Sequence, residues 1–453
     1  MSRRASTRSR VSSSASSYSI DLREAIARFF PHSGLALVVK DDKLHWVPRM
    51  LVICAILMTL DLADLLTDSF DRARGVLVRM YPSRRRPGGS YAGFMGMLAR
   101  HSAKYLALLL PALRREVRQL VEKSGCWTID GWCVFGVDGS RIECPMSAAN
   151  EKAFGTAGKT KTGPQQFLTT LFHAGSGLIW DFRNGDARSS ERAHLLEMLD
   201  DLPQEALLLA DAGFTGYDFL KKVMDGGRSF LIRVGSNVQL LLKLGWCCEE
   251  HEGIVYLWPH KTQKRKQPPL VLRLITLVDG RNRRIDLLSS VLDRKLLPDA
   301  TALALYRRRW GVELIYRSLK QTMGKRKLRC GAPANAAVEL QWAVMGLWLL
   351  GLMTVSRIVE KGGAPGSWSV ACSLRVVRQV MDGVLRSGLH LALSLSKALA
   401  EAVKDEYKRT ASKQSRHWPD KKKERPPAAP RARTADESQI KLAAELKEKR
   451  PVG

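Results

Sequence analysis

The alternation of apolar and polar positions separates a helical first part of the chain from a strand-rich middle. Between 21 and 125, apolar residues recur at helical spacing, with segments near 21–30, 49–80 and 91–124. From Trp132 onward, short β-branched and apolar runs predict five strands, in WCVFGVDGSRIECP, QFLTTLFHA, GLIWDFR, ALLLA and SFLIRV. Two helical patterns, SSERAHLLEML and TGYDFLKKVM, separate the last three of these strands. The middle of the chain is therefore predicted to be an α/β domain.

Strand patterns continue from about 235 to 298, and helices follow. The stretch ALYRRRWGVELIYRSLKQTMG predicts one long helix, because it contains no proline and its only interior glycine is Gly311. The apolar run at 338–359 predicts a buried helix, and another helical stretch runs from about 369 to 403. We expect the basic arm at 1–20 and the mixed-charge tail at 401–453 to be disordered, apart from one terminal helix in the tail.

The predicted long helix has a narrow polar face. At about 100° per residue, four polar side chains fall within an arc of about 60°. These are Tyr306, Arg309, Glu313 and Lys320. An adjoining apolar stripe would seat the helix on a core; it consists of Leu303, Trp310 and Leu314. Two interpretations stay open: a solvated surface on which Glu313 pairs with Arg309 or Arg317, or an active-site helix presenting a carboxylate to a metal and cations to a phosphate.

Composition favours a polyanionic partner. The 453 residues include 73 Lys and Arg against 44 Asp and Glu, which gives a net charge of +29. Such an excess is typical of nucleic-acid-binding proteins, although a membrane surface and ribosomal RNA also remain open. Eight cysteines without CxxC spacing indicate reduced thiols in a cytosolic protein. The Arg- and Ser-rich N-terminus lacks the apolar face of a transit peptide, and both long apolar runs, 50–60 and 342–355, are shorter than the ~20 residues of a membrane span.

Two aspartates stand out beside Glu313. Asp138 lies in GVDGS, and Asp211 directly follows the apolar run ALLLA. Taken alone, Asp138 fits an Asp-Gly turn. A carboxylate at the position of Asp211 is costly to desolvate unless it is paired or metal-bound. Carboxylate oxygens are the ligands that hard divalent cations prefer, so the three acids together are candidates for a metal site.

The spacing of Tyr306, Arg309, Glu313 and Lys320 resembles the YREK signature of IS4-family transposases, which belong to the DDE recombinases. The blocks DG at Asp138 and DAGF at Asp211 precede it in the family's order. The resemblance implies an RNase H-like catalytic domain over 126–400 with a β-rich insertion at about 235–298, and a helical DNA-binding domain over 21–125. It also implies that Asp138, Asp211 and Glu313 are catalytic ligands of two Mg²⁺ or Mn²⁺ ions. Tyr306, Arg309 and Lys320 would then bind DNA.

The function that the resemblance implies is cut-and-paste transposition of an insertion sequence at its terminal inverted repeats. The partner would be double-stranded DNA, bound by a homodimer in the cytoplasm, on the bacterial nucleoid. Two rivals remain open: a nuclease of the same fold, and a non-catalytic nucleic-acid-binding protein. One departure concerns the aromatic that traps a flipped base in hairpin-forming members, because the strand before the signature, RRIDLLSSVL, has none. Trp258 and Trp246 lie earlier in the insertion as weaker candidates.

Overall fold

The computed structural model describes ten ranges of the chain. They are 20–30, 35, 46–83, 86–156, 163–244, 253–259, 267–278, 284–386, 394–405 and 428–448. The chain divides into two compact units. The helical unit comprises 1–127, 139–189 and 312–404, and the strand unit comprises 128–138, 190–311 and 405–453. Nearly all of the predicted basic arm lies outside the described residues.

The helices confirm most of the predicted segments. A short helical stretch at 20–27 comes first. In chain order the helices that follow are α1 Pro48–Leu60, α2 Leu66–Met80, α3 Tyr91–Lys123, α4 Ala148–Phe154, α5 Glu191–Met198, α6 Tyr217–Asp225, α7 Asp299–Arg307, α8 Gly311–Arg317, α9 Pro333–Glu360, α10 Val370–Leu385, α11 Leu395–Ala400 and α12 Glu437–Glu448. The stretch expected at 369–403 is thus two helices, α10 and α11.

The strands follow the predicted order. They are β1 Cys133–Glu143, β2 Gln165–His173, β3 Leu178–Asp186, β4 Ala206–Ala210, β5 Ser229–Arg233, β6 Gln239–Leu242, β7 Ile254–Leu257, β8 Leu270–Val278, β9 Arg284–Ser289 and β10 Arg431–Thr434. The apolar run ALLLA forms β4 and is buried at every position, as expected for a strand covered on both faces.

The helical unit is organised around α9. The side chains of Trp342 and Trp348 are almost fully buried, and the indole N–H of Trp342 donates to Ser102 Oγ on α3 at 2.8 Å. By length and composition, α9 is the one helix in the described ranges that would suffice to cross a membrane, but it is largely buried within the protein. A core helix accounts for it, as the sequence predicted. In the same unit, β2 and β3 form an antiparallel hairpin.

In the strand unit, β1 pairs in parallel with β4, and β4 in parallel with β5. The antiparallel strands β6 to β9 continue from β5 through β9. These are the elements of an RNase H-like core: the parallel strands β1, β4 and β5 with helices between them, and the β2–β3 hairpin. Strands β6 to β9 are the predicted β-rich insertion. The predicted fold class is confirmed.

Three predictions about local structure need correction, and the first concerns β1. The Asp-Gly pair does not form a turn. Strand β1 runs without interruption through Asp138 and Gly139 to Glu143. Its first half is buried and its second half is more exposed. The strand therefore stays regular while the burial of its side chains decreases.

The second correction concerns the predicted long helix. After α7 comes a 3-10 turn at Arg308–Trp310, then α8, then a π-helical turn at Ser318–Thr322. A π turn is closed by a bond to the residue five positions earlier, here from Met323 N to Ser318 O at 2.9 Å. A constant 100° per residue therefore does not hold along the stretch. The predicted apolar stripe is also wrong, because Trp310 and Leu314 are 54% and 39% exposed, whereas Leu305, Val312, Ile315 and Leu319 are buried.

The third correction concerns the tail. Residues 431–448 are ordered as β10 and α12, and β10 adds to β6 as a parallel strand. The backbone N–H of Gln439 donates to Asp436, and Gln439 Oε1 accepts from the N–H of Asp436, which caps the start of α12 reciprocally. Ala435 and Ala443 are buried against the insertion strands. The mixed-charge pattern of the tail did not predict that these residues pack against the insertion strands. The terminal helix itself was predicted.

Candidate active site

Asp138 and Asp211 lie on neighbouring parallel strands. The pairing of β1 with β4 ends at Gly136 and Leu209. Continuing this register by two residues places Asp138 beside Asp211, on strands separated by about 4.8 Å. Asp211 keeps an extended backbone after β4 ends, with φ −90° and ψ −176°. The strand pairing therefore brings the carboxylates of Asp138 and Asp211 close together in the strand unit.

The Asp211 carboxylate is held by the turn that follows it. Its Oδ1 accepts from the backbone N–H of Gly213 at 2.8 Å. Its Oδ2 makes no hydrogen bond with any described residue. A β-carbon on Gly213 would lie 3.0 Å from Asp211 Oδ1 and 3.4 Å from Glu191 Oε2. Glycine at this position therefore leaves room for both carboxylates, a requirement the sequence analysis did not identify.

Arg309 links two other predicted site residues within the strand unit. Its Nη1 donates to Asp138 Oδ2 at 3.2 Å, and its guanidinium carbon lies 6.0 Å from the centroid of the Tyr306 ring. Tyr306 is only 9% exposed. Burial raises the pKa of its hydroxyl, while Arg309 and Arg233 act in the opposite direction, so Tyr306 is a neutral support beside the guanidinium.

Glu313 and Lys320 belong to the helical unit. Glu313 lies in the first turn of α8 and is half-buried. Lys320 lies in the π-helical turn and donates to Ser140 Oγ on β1 at 2.9 Å. Burial lowers the pKa of Lys320, and Glu143 opposes that shift. Ser140 is a partner that sequence reasoning missed, although it stands two residues after Asp138 in the same block.

The donor set suits a hard divalent cation. Within the described ranges, no cluster of three or more Asp, Glu, His or Cys side chains is closed enough to hold a metal ion. Asp211 nevertheless has an oxygen without a hydrogen bond to any residue that the structure describes, and Asp138 is bound by a cation that a metal ion could replace. Carboxylate oxygens of this kind are what Mg²⁺ and Mn²⁺ prefer.

Of the two candidate aromatics of the insertion, Trp258 lies within the described residues. Trp258 is half-buried and packs against the cluster that includes Leu241 and Tyr256. Its indole nitrogen is buried without an acceptor among the described residues. Trp258 also lines a cavity in the strand unit, so its role in trapping a base stays a prediction, and Trp246 lies outside the described residues.

Three comparisons relate this chain to known proteins. Residues 133–349 match the family model of the transposase DDE domain. The chain is 27% identical over 269 residues to the transposase InsG for insertion sequence element IS4 of Escherichia coli (strain K12). That match covers 55% of this chain and 60% of the relative. A cryo-EM structure of a piggyBac transposase synaptic complex with hairpin DNA aligns over 89% of this chain and 85% of that one, with 12% identity and a TM-score of 0.41.

An RNase H-like core with its aspartates on β1 and after β4, inside a matched DDE segment, defines a DDE transposase domain. The signature residues and the similarity to the IS4 relative specify it further: this domain is similar to that of IS4-family DDE transposases. The chain spans about 60% of the length of that curated relative.

Proposed function

We propose that the protein is a DNA transposase that cuts the ends of an insertion sequence and joins them to target DNA. The observation that carries this proposal is the register of β1 and β4, which sets Asp138 beside Asp211. In this proposal Asp138, Asp211 and Glu313 hold two Mg²⁺ or Mn²⁺ ions. Bound there, such ions would activate a water or a 3′ hydroxyl and stabilise the leaving oxygen of an in-line phosphoryl transfer.

The basic signature residues have the complementary task of binding phosphate. Arg309 offers a planar fork of donors that suits two phosphate oxygens, and Lys320 acts as a point charge. Both already hold an oxygen partner, the Asp138 carboxylate and the Ser140 hydroxyl respectively. A DNA phosphate would therefore exchange with these partners. The contact of Tyr306 with the DNA end remains a prediction; its position beside Arg309 supports a role in orienting that side chain.

The test removes one charge at Glu313 while keeping its shape. Glu313→Gln should abolish metal-dependent nicking of element-end DNA, by several orders of magnitude, while the gel shift with the same DNA persists. Lys320→Ala is the comparison, because losing a phosphate contact weakens end positioning without removing a metal ligand. Near wild-type nicking by Glu313→Gln in both Mg²⁺ and Mn²⁺ would refute the catalytic assignment.

Two rival functions are separated by the products of the reaction. A nuclease of the same fold would nick end DNA but would not join paired ends to a target. A non-catalytic DNA-binding protein would shift the DNA and do neither. Strand-transfer assays with two element ends and a target plasmid distinguish all three.

We further propose that a homodimer binds two double-stranded terminal inverted repeats, on the nucleoid of a bacterial cytoplasm, and that the helical residues 21–125 contribute to repeat recognition. The net charge of +29 supports a large phosphate footprint. End binding should then weaken with rising salt, with a log–log slope of about −0.9 per phosphate neutralised. Sedimentation of the protein with end DNA should show two chains per complex. A single chain that completes transposition would refute the dimer.

A further inference from the structure

A buried carboxylate lies near the N-terminal end of α9, where the apolar part of the helix begins. Glu339 is 7% exposed and receives three donors from the segment that follows the π-helical turn. Its Oε1 accepts from Lys325 Nζ at 3.2 Å. Its Oε2 accepts from the backbone N–H groups of Arg329 and Cys330 at 2.9 and 3.1 Å. A buried charge is costly unless it is paired and hydrogen-bonded, and Glu339 satisfies both conditions.

The segment that Glu339 holds, residues 323–331, is called the signature loop below. At its start it closes the π-helical turn. Met323 N donates to Ser318 O at 2.9 Å, and Lys325 N donates to Leu319 O at 3.0 Å. The carbonyl of Leu319 belongs to the peptide that leads into Lys320. The signature loop therefore fixes the backbone from which the Lys320 side chain projects.

The signature loop also holds the strand that carries the partner of Lys320. Glu143 N donates to Arg326 O at 3.3 Å, and Leu328 N donates to Glu143 O at 2.8 Å. Ser140, which accepts from Lys320 Nζ at 2.9 Å, lies three residues earlier on β1. One loop thus joins the two elements whose side chains meet in the Lys320–Ser140 contact.

Neutral contacts complete the far end of the signature loop. Asn150 Nδ2 donates to Cys330 O at 3.2 Å, and Ser147 Oγ donates to Gly331 O at 2.6 Å. The Tyr91 hydroxyl lies 3.8 Å from Cys330 Sγ. Burial, reinforced by Glu339, raises the pKa of the Cys330 thiol to about 12, which favours the neutral thiol. Glu339 and Lys325 contribute the buried charges of the arrangement, with side chains 4% and 10% exposed.

We propose that Glu339 is a positioning residue for phosphate binding by Lys320, acting through the signature loop. The proposal rests on the proposed function, since Lys320 is assigned to DNA there. The hydrogen bonds that Glu339 makes within the described residues go to the signature loop, so it would act on Lys320 only through that loop. Its charge neutralises Lys325, and its oxygens fix two backbone N–H groups that set the path of the loop.

Two double variants separate these contributions. Glu339→Gln/Lys325→Met removes both charges but keeps a side-chain oxygen for the N–H groups of Arg329 and Cys330. Glu339→Leu/Lys325→Met removes both charges and that acceptor. Neither variant leaves an uncompensated buried charge, which is the change that would unfold the protein. Thermal melting checks that each double variant folds. Lys320→Ala is then introduced into each double variant.

The expected result is that the Gln/Met variant nicks end DNA within about threefold of wild type, whereas the Leu/Met variant nicks about 10- to 100-fold more slowly. In the Gln/Met background, Lys320→Ala should slow nicking as much as it does in wild type. In the Leu/Met background it should slow nicking little further, because contacts that act through each other are not additive. Equal nicking by the two double variants would overturn the proposal. The proposal would also be overturned if Lys320→Ala slowed nicking to the same full extent in both double variants.

A readout without cleavage keeps this inference separate from the proposed function. In the Leu/Met variant, amide exchange at Arg329 and Cys330 should accelerate, and affinity for end DNA should fall to that of Lys320→Ala. If wild type binds DNA but never nicks it, the proposed function fails while these measurements still decide the role of Glu339. Unchanged exchange and unchanged affinity in the Leu/Met variant would overturn it.

Discussion

Arg309 donates to Asp138 across 3.2 Å, with side chains 15% and 19% exposed. A cation therefore already binds the carboxylate that we assign to a metal ion. A metal ion bound to Asp138 would compete with Arg309, and a DNA phosphate would offer the released guanidinium a new partner. Because both exchanges involve the same side chain, metal binding and DNA binding should favour one another.

Arg309→Gln tests this exchange. Removing the competing cation should tighten Mn²⁺ binding to the DNA-free protein by about tenfold, since a hydrogen bond to a charged group contributes about 1.5 kcal/mol. End-DNA binding should weaken at the same time, because a phosphate contact is lost. Titration of Mn²⁺ followed by electron paramagnetic resonance measures the first effect. Arg307→Gln is the control, because Arg307 is an exposed arginine two residues earlier, at the end of α7. Equal Mn²⁺ affinity in both variants would show that Arg309 does not compete with the metal.

Gly213→Ala tests the support of Asp211. The added β-carbon would lie 3.0 Å from Asp211 Oδ1 and 3.4 Å from Glu191 Oε2, so one carboxylate must move. We expect nicking to fall about 10- to 100-fold, as for other changes that disturb a ligand from outside, with a loss of folding stability of about 1 kcal/mol. Gly96→Ala in α3 is the matched control, since nothing lies within 4 Å of its new β-carbon. Undiminished nicking by Gly213→Ala would mean that the Asp211 position tolerates displacement.

The sequence predicted those parts of the fold and site that depend on local patterns. The apolar run before Asp211 predicted β4, and the spacing from Tyr306 to Lys320 identified the signature. It did not predict the π-helical turn, because the closing bond from Met323 to Ser318 has no residue pattern of its own. It missed Ser140 and Glu339 for a related reason: their roles depend on partners that are brought close only by folding. A lone acid in an apolar helix was nevertheless a signal for Glu339.

Protonation of His173 should make the fold sensitive to acid. Its ring is fully buried, accepts from Ser176 N at 3.2 Å and lies 3.0 Å from Trp127 O. Burial lowers its pKa to about 4, against the opposing effect of Trp127 O. The unfolded chain, with a pKa of about 6.5, binds more protons between these values. Stability is complete above about pH 6.5 and falls as the pH drops toward 4.

His173→Gln removes this group while keeping polar atoms. Wild type should lose about 2 to 3 kcal/mol of unfolding free energy from His173 between pH 7 and pH 4.5. The variant should be less stable than wild type at pH 7, but between pH 7 and pH 4.5 it should not lose the unfolding free energy that His173 contributes. Urea unfolding at both pH values measures the difference. Equal losses in wild type and variant would show that His173 is not the titrating group.

Docking of the tail depends on a small buried side chain. Ala443 on α12 is fully buried among Leu241, Ile254 and Tyr256, so Ala443→Asp would place a carboxylate in an apolar cluster. We expect a loss of about 1 to 3 kcal/mol at this contact, enough to release a segment held by a small cluster. Residues 431–448 should then become accessible to protease while the rest of the chain stays folded. Ala444→Asp is the matched control, because Ala444 is partly exposed. Limited proteolysis with mass spectrometry locates the cleavage sites. Equal protection of the tail in both variants would mean that β10 alone, through its pairing with β6, holds the segment in place.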